Sequence, residues 1–385
     1  MRYALVSVSI ALVAWSLFVS WKHPSPGSKP CREGFCRMDQ ILDGMSSPEG
    51  SATDFASLVS EDPSNPFAWC AYGDSLAVNG QMDLANNAFR HAVELGPRMP
   101  PVLMRAANFE FSHGHVREGI ALSHKILQTT PEFDEVLFSY FTSSRLGPRD
   151  VLDSAIPASP QPARAWLTWI AAHGSDGDVS ATWAWMKNNR LLDAQLAGEI
   201  TGDLWSRQSF EASQELWTDW LGPHRGDCAT PEILLDCEFQ ESASKSPFVW
   251  NVLTASGAAI SRKNGLEIEF SGSENSEMIL QELVTIAPGR YEFSADVQSN
   301  AITTDQRPFF IIFDVENRAR LDIRTPPVPE NMPRGKMNIA VSAPYGTRAL
   351  GIQLVRSRSE RFDNKISGKL HVYRASLLPV VQALN

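Results

Sequence analysis

A set of residues recurs at intervals of 34 positions in the first half of the chain. With Pro66 as position 1, the marked positions are Trp69, Gly73, Gly80, Ala85, Phe89, Ala92 and Pro97. A step of 34 carries Gly80 to Gly114 and Pro97 to Pro131. Small residues let two antiparallel helices touch, large residues fill the gaps beside them, and a proline ends the second helix. The recurrence therefore predicts stacked helix pairs.

This frame resembles the tetratricopeptide repeat, closely over the first 34 residues and more loosely over the second. Beyond Pro131 the register decays, and Gly147-Pro148 interrupts it. Helical patterns continue through "ARAWLTWIAAHG" with "VSATWAWMKNN", and then "LAGEITGDLW" with "SFEASQELWTDWL". We interpret these as degenerate units and assign residues 58–222 to helical repeats. The resemblance implies an acidic surface that binds a protein partner.

The tetrapeptide Gly73-Asp74-Ser75-Leu76 matches the opening motif of a family of serine esterases. Such a serine must lie on a turn between a strand and a helix, beside an oxyanion hole. In the repeat frame Ser75 lies in the middle of the first helix. We therefore predict that Ser75 is a helix residue without a catalytic role.

The N-terminal region carries no charge from residue 3 to residue 21, which is long enough to span a bilayer. A cleaved signal peptide is the alternative, but no Ala-x-Ala pattern follows the apolar run, so we favour an uncleaved signal-anchor over residues 1–22. Residues 23–57, rich in Pro, Gly and Ser at their start, are predicted to be a linker. Charge does not decide the orientation in the membrane.

Two cysteine pairs lie close in sequence, Cys31 with Cys36 and Cys228 with Cys237. Both pairs are candidate disulfides if this side of the membrane is oxidising. The alternative, that some of them are free thiols, stays open.

From Pro231 onward the sequence alternates with a period of two. Leu266, Ile268 and Phe270 form one face of a strand, with Glu267 and Glu269 on the other. Several such strands separated by turns predict an antiparallel β-sandwich over residues 231–380. The predicted fold class is therefore multi-domain α + β, with a membrane helix, helical repeats and a sandwich.

Three stretches of the last domain resemble carbohydrate-binding modules with a galactose-binding-like jelly roll. They are "ILLDCEFQ…FVW" (233–250), "VTIAPGRYEFSADVQSN" (284–300) and "FDNKISGKLHVYRASL" (362–377). Behind an anchor and tetratricopeptide-like helices, this domain is similar to a family of bacterial envelope proteins that accompany exopolysaccharide or O-antigen assembly. The resemblance implies a single-pass inner-membrane protein whose soluble part lies in the periplasm.

A sugar-binding site needs an exposed aromatic platform and planar polar groups for the hydroxyls. Trp250 is the candidate platform, and the candidate polar partners lie in two loops: Asp305, Arg307, Arg361, Asp363, Asn364 and Lys365. Two structural alternatives stay open. Trp250 closes the hydrophobic core in one, and "FDNK" forms a salt-bridged turn in the other.

Modules of this family often hold a structural calcium between the first and last strands. Here Gln240 replaces the first-strand Glu, and His371 and Tyr373 replace the expected Asp. Asp236 and Glu238 remain, but the loss of two carboxylates disfavours calcium. His113, His115 and His124 are interpreted as solvated turn residues. We therefore predict no metal and no cofactor.

The formal net charge of −10 argues against a nucleic-acid partner. The residues together predict a non-enzymatic, membrane-anchored envelope protein that binds a protein partner and a polysaccharide. Two alternatives are a glycosidase-like enzyme and a purely structural assembly protein without a small ligand.

Overall fold

A computed structural model describes residues 52–143, 146–241 and 245–380. The chain divides into two compact units, one through Leu122 and one from Ser123 onward. The predicted membrane segment (3–21) and the Cys31–Cys36 pair lie outside the described residues. Within the described ranges, no helix is both long enough and apolar enough to cross a bilayer.

The first unit is built of helices. They are α1 (Ala52–Glu61), α2 (Pro66–Val78), α3 (Met82–Leu95), α4 (Pro100–Ser112) and α5 (Val116–Leu127), the last of which contains the unit boundary. Helices α2 and α4 begin 34 residues apart, and so do α3 and α5. The predicted repeat frame is therefore confirmed in its helix bounds. Helix α1 begins at Ala52, so the linker predicted for residues 23–57 ends earlier than expected.

The residues that mark the frame make the predicted contacts. A Cβ atom on Gly73 would lie 3.0 Å from the ring of Phe89, so a side chain at position 73 would force the ring to shift. Ala85 and Ala92 are fully buried beside this contact. Gly80 has φ +75° in the turn between α2 and α3, a conformation that glycine adopts without strain. Trp69 is partly exposed, and its indole N–H donates to the Pro63 carbonyl at 2.9 Å.

The helices of the second unit return to the same 34-residue spacing. They are α6 (Asp134–Ser143), α7 (Pro148–Ser154), α8 (Pro160–His173), α9 (Asp176–Asn188), α10 (Ala194–Ser206) and α11 (Phe210–Leu221), and a 3₁₀ turn (Gly222–Cys228) follows. Helices α8 and α10 begin 34 residues apart, as do α9 and α11. Trp183 and Trp217, one frame apart, are both buried. The frame is interrupted only around the short helix α7.

The strands that follow form two antiparallel sheets. The strands are β1 (Asn251–Ser256), β2 (Ala258–Arg262), β3 (Leu266–Ser271), β4 (Glu277–Thr285), β5 (Gly289–Asn300), β6 (Phe309–Asp314), β7 (Asp322–Arg324), β8 (Met332–Ala343), β9 (Ala349–Arg356) and β10 (Ser367–Pro379). One sheet has the order β1-β4-β9-β6-β7 and the other β2-β3-β10-β5-β8. Leu266, Ile268 and Phe270 of β3 point into the core between the sheets. The predicted sandwich is confirmed.

Helices α10 and α11 contact the sandwich within the second unit. The Trp205 and Phe248 rings meet with centroids 5.4 Å apart. The Gln214 side-chain carbonyl accepts the backbone N–H of Thr285 at 2.8 Å. The sequence predicts an independent β-rich lobe after residue 231, whereas these helices share apolar and polar contacts with it.

Candidate functional site

Trp250 is fully buried and cannot serve as a sugar platform. Its ring lies 5.2 Å from that of Phe239, and both belong to the core between the sheets. Its backbone N–H donates to the Asp236 carboxylate at 3.2 Å. The prediction of an exposed platform at Trp250 is therefore wrong, and the alternative that it closes the core is correct. The segment before β1 directs the Trp250 side chain into the core, where the Phe239 ring packs against it.

The predicted polar partners lie in two loops that the fold brings together. We call them the loop cluster: residues 301–308, between β5 and β6, and residues 357–366, between β9 and β10. The Ser359 hydroxyl donates to Asp305 at 2.5 Å, and the Arg361 guanidinium lies 3.4 Å from the same carboxylate. The Ser359 hydrogen bond, followed by weaker contributions that include Arg361, holds the pKa of Asp305 below its usual range. Asp305 is therefore an ionised acceptor at neutral pH.

A buried guanidinium ties the two loops to the sheet below them. Arg356 is fully buried and donates to the backbone carbonyls of Gln306, at 3.1 Å, and Asn364, at 3.4 Å. It also donates to the Asn275 side chain at 3.0 Å and to the Ser276 carbonyl. Burial lowers the pKa of Arg356, but these acceptors satisfy its charge. The loop cluster is thus held at its base rather than free to move.

The exposed aromatic of the loop cluster is Phe362, which the sequence interpretation overlooked. Its side chain is fully exposed, with a relative accessibility of 105%, between Arg361 and Asp363. Lys365 is also exposed, while Arg307 is partly exposed in the first loop. The available signal was an aromatic ring in a strand-connecting loop whose other residues, apart from Ile366, are all polar or charged. An open aromatic face beside carboxylate and guanidinium groups can stack on a pyranose ring and bind its hydroxyls.

A second exposed aromatic lies at the opposite end of β9. Tyr345, in the loop between β8 and β9, is 96% exposed. Because Phe362 follows the other end of β9, the two rings occupy opposite edges of the sandwich. Near Tyr345 the Thr347 hydroxyl likewise donates to a carboxylate, at 2.8 Å, but that carboxylate, Asp314, is fully buried, whereas Asp305 of the loop cluster is partly exposed.

The carboxylates considered for calcium have protein partners. Asp236 accepts the backbone N–H of Glu241 at 3.0 Å in addition to that of Trp250, and burial raises its pKa to about 6. Glu238 accepts from Arg374 of β10 at 3.0 Å. The ring of His371 stacks on Tyr373 at 3.8 Å. Across the described ranges, no group of three or more His, Cys, Asp or Glu side chains has a geometry that could hold a metal ion.

Three further predictions concern the Cys228–Cys237 pair, Ser75 and His113. Cys228 and Cys237 form the predicted disulfide. Cys70 is a buried thiol, and burial raises its pKa to about 11. Ser75 lies buried inside α2, away from any strand-to-helix turn. His113 contacts the Phe109 carbonyl at 2.7 Å, in keeping with an ordinary turn residue.

The first unit carries a groove of about 340 Å³ between α2 and α3. The residues that form its apolar part are Trp69, Tyr72, Leu76, Leu84 and Ala88. The His91 ring lies 4.5 Å from that of Trp69, and Leu84 is 52% exposed. One frame later, Ala106 and Leu122 occupy the positions of Tyr72 and Ala88, and both pack on the preceding repeat. The groove therefore lies at positions of the repeat that, one repeat later, are used for packing between neighbouring repeats.

No family model matches the chain, and no curated protein matches it. Solved structures match parts of it. The bacteriophage CBA120 tailspike protein 4 enzymatically active domain is 11% identical with a TM-score of 0.27, covering 37% of this chain and 23% of that one. The chain thus spans under a quarter of that domain.

Two other solved structures also match parts of the chain. TmCBM61, in complex with β-1,4-galactotriose, is 11% identical with a TM-score of 0.26, covering 40% of this chain and 97% of that one. YrrB, a TPR protein with an unusual peptide-binding site, is 13% identical with a TM-score of 0.25, covering 44% and 92%. The description of helical repeats and sandwich rests on the chain's own geometry.

Proposed function

We propose that this protein is a non-enzymatic, membrane-anchored scaffold of a bacterial envelope. Its helical repeats bind a protein partner through the groove between α2 and α3, and its sandwich binds a glycan at the loop cluster. The role of the whole is to support exopolysaccharide or O-antigen assembly or export. The observation that carries the proposal is the fully exposed Phe362 ring in the same loop as Ser359 and Arg361, both of which interact with the Asp305 carboxylate.

Residues 3–21 and the cysteines support the proposed location. An uncharged run of this length is long enough to span the inner membrane. The Cys228–Cys237 disulfide supports an oxidising compartment, because disulfides are rare where glutathione keeps thiols reduced. The soluble part is therefore assigned to the periplasm.

Binding is favoured over hydrolysis by the charge state of the loop cluster. A glycosidase needs one carboxyl group with a raised pKa as general acid, and a second carboxylate facing it across the scissile bond. Asp305 has a lowered pKa because Ser359 donates to it. It is suited to accept hydroxyl hydrogens rather than to donate a proton.

The test uses the full-length chain on an array of bacterial polysaccharides, with Phe362→Ala and Tyr345→Ala as a matched pair. Both rings are exposed, so neither substitution removes core packing. We expect the wild type and Tyr345→Ala to bind a common glycan and Phe362→Ala to lose about fivefold or more in affinity, since ring stacking contributes on the order of 1 kcal/mol or more. Circular dichroism checks that both variants fold.

Two outcomes contradict the glycan assignment. If the wild-type chain binds no polysaccharide, the sandwich acts as a structural module. If Phe362→Ala binds as well as Tyr345→Ala, the glycan does not occupy the loop cluster.

The protein-partner assignment has a separate test. Leu84→Asp should reduce the amount of protein cross-linked to the membrane-embedded chain, whereas Leu253→Asp, at another exposed leucine, should not.

A further inference from the structure

A second cavity lies inside the second compact unit, where helix α10 meets the sandwich. It measures about 350 Å³ and is bounded by α10, the segment before β1, and strands β1 and β4. Asp203 and Trp205 come from the helix, Lys245 from the connecting segment, and Asn251, Leu253 and Gln281 from the sheet. None of these residues belongs to the loop cluster.

Helix α10 and the segment before β1 approach each other closely at one point of the cavity lining. A Cβ atom on Gly202 would lie 2.9 Å from the Lys245 carbonyl oxygen, which is tighter than side chains tolerate. Beside this contact, Trp205 is only 9% exposed and packs edge to face against Phe248, so it is a fixed apolar part of the lining. Leu253, 54% exposed, forms the rim.

Two amide side chains at the cavity have fixed orientations. Gln281 uses its carbonyl to accept from Gln353 at 2.6 Å, which leaves its NH₂ group as the donor. Asn251 uses its NH₂ group to donate to the Ser246 carbonyl at 2.7 Å, which leaves its carbonyl as the acceptor. The cavity thus presents one oriented donor and one oriented acceptor, at no further cost in side-chain ordering.

The carboxylates of α10 play different parts. Glu199 is balanced by Lys245 at 3.2 Å and by Arg164 at 3.4 Å. Asp203, one turn later, has no ion pair within 4.0 Å in the part of the chain that the structure describes. Burial, and then the neighbouring Glu199, raise the pKa of Asp203. Hydrogen bonds donated by the hydroxyl groups of a ligand would stabilise the charged form of this carboxylate.

We infer that this cavity is a binding site for a neutral saccharide, a single pyranose ring or a disaccharide. Amide and carboxylate groups can bind vicinal hydroxyls, and the apolar indole and leucine side chains of the lining can contact the C–H groups of a sugar ring. The volume lies at the lower end of the range for small-molecule pockets. The inference is independent of the function proposed for the loop cluster, because the two sites share no residue.

The test is titration calorimetry and saturation-transfer NMR on the full-length chain, with galactose, glucose, N-acetylglucosamine and cellobiose as probes. We expect at least one probe to bind with a millimolar Kd. Leu253→Trp, which fills the rim, should abolish that binding. Asp203→Asn should weaken it about tenfold or more, because hydrogen bonds to a charged acceptor are the stronger kind.

The controls separate this site from the loop cluster. Asp153→Asn, an exposed carboxylate on α7, should leave binding unchanged, and so should Phe362→Ala. If no probe binds, or if neither Leu253→Trp nor Asp203→Asn has an effect, the inference is overturned. Loss of binding in Phe362→Ala alone would also overturn it, while supporting the proposed glycan site on the loop cluster.

Discussion

The indole ring of Trp205 in α10 and the phenyl ring of Phe248 before β1 meet edge to face, with centroids 5.4 Å apart and planes at 86°. Both side chains are buried, Phe248 completely. This contact joins the last helices to the sandwich, so the two parts of the second unit stabilise each other. An edge-to-face pair contributes about 0.5–1.5 kcal/mol beyond the area that it buries.

Trp205→Ala should therefore lower the free energy of unfolding of the second unit by about 3–5 kcal/mol, the usual loss for a buried tryptophan. Urea denaturation followed by circular dichroism measures it. Trp220→Ala, a partly exposed tryptophan on α11, is the control and should cost less than half as much. Equal losses in the two variants would mean that the Trp205–Phe248 contact does not stabilise the junction.

Gly73→Ala should destabilise the repeat of α2 and α3 by about 1–3 kcal/mol, although alanine is the better helix former. The reason is that the new methyl group would lie 3.0 Å from the Phe89 ring. Gly177→Ala in α9 is the matched control, since the nearest atom to its new methyl group is 3.7 Å away. That variant should be neutral or more stable by up to about 1 kcal/mol. The same denaturation experiment compares them, and a stabilising Gly73→Ala would contradict the close contact.

Glu282→Gln should become more stable relative to the wild type as the pH rises from 5 to 9. Glu282 is fully buried and accepts the backbone N–H groups of Leu235 and Asp236 at 2.9 and 3.1 Å. Burial, and then the Asp236 charge, raise its pKa well above the usual value. The folded state therefore holds a proton that the unfolded chain releases near its ordinary pKa, and the stability that this proton provides is lost as the pH rises.

The glutamine mimics the protonated carboxyl group and removes that dependence. Thermal melts at several pH values measure the difference between variant and wild type. Asp236, with its pKa raised to about 6, adds a loss of stability in both proteins between about pH 4 and pH 6. A constant difference between Glu282→Gln and wild type across the range would show that Glu282 does not titrate.

Replacing both Cys228 and Cys237 by serine should cost the second unit about 2–4 kcal/mol, as expected for the loss of a native disulfide. Denaturation under oxidising conditions measures the loss. Peptide mapping without reductant should recover the two cysteines in one linked fragment.

Cys70 should be alkylated only after unfolding, because it is buried and its pKa is raised to about 11. Rapid alkylation of Cys70 in the native protein would contradict its burial.

The sequence predicted the packing of the first repeat, because small Gly73 and Ala85 and large Phe89 are matched in size to the places where the two helices meet. It lost the frame after Pro131, although Trp183 and Trp217 repeat it one step apart. There some of the small residues that mark the frame are replaced by larger ones, such as Leu167 at the position of Gly73 and Val179 at the position of Ala85. A search for paired large residues at intervals of 34 would have found it.

At the candidate site, sequence reasoning placed Asp305 and Arg361 together and chose the wrong aromatic. The two loops are rich in charge and free of a periodic apolar pattern, so their exposure is visible locally. Trp250 and Phe362 both lie near strand ends, and composition does not distinguish them. Their burial depends on whether another segment covers them: Phe239 packs on Trp250, whereas the Phe362 side chain is open to solvent.

By itself, the sequence determined the kinds of element and their order: helix pairs on a 34-residue step, then alternating strands. Those patterns depend on residues three to four positions apart in a helix and two positions apart in a strand, so they can be read directly from the sequence. Only the tertiary structure decided that Trp205 closes on Phe248, that Trp250 faces the core, and that Phe362 faces solvent. Each of these outcomes depends on the side chains that distant segments bring to the same place, and no local pattern contains that information.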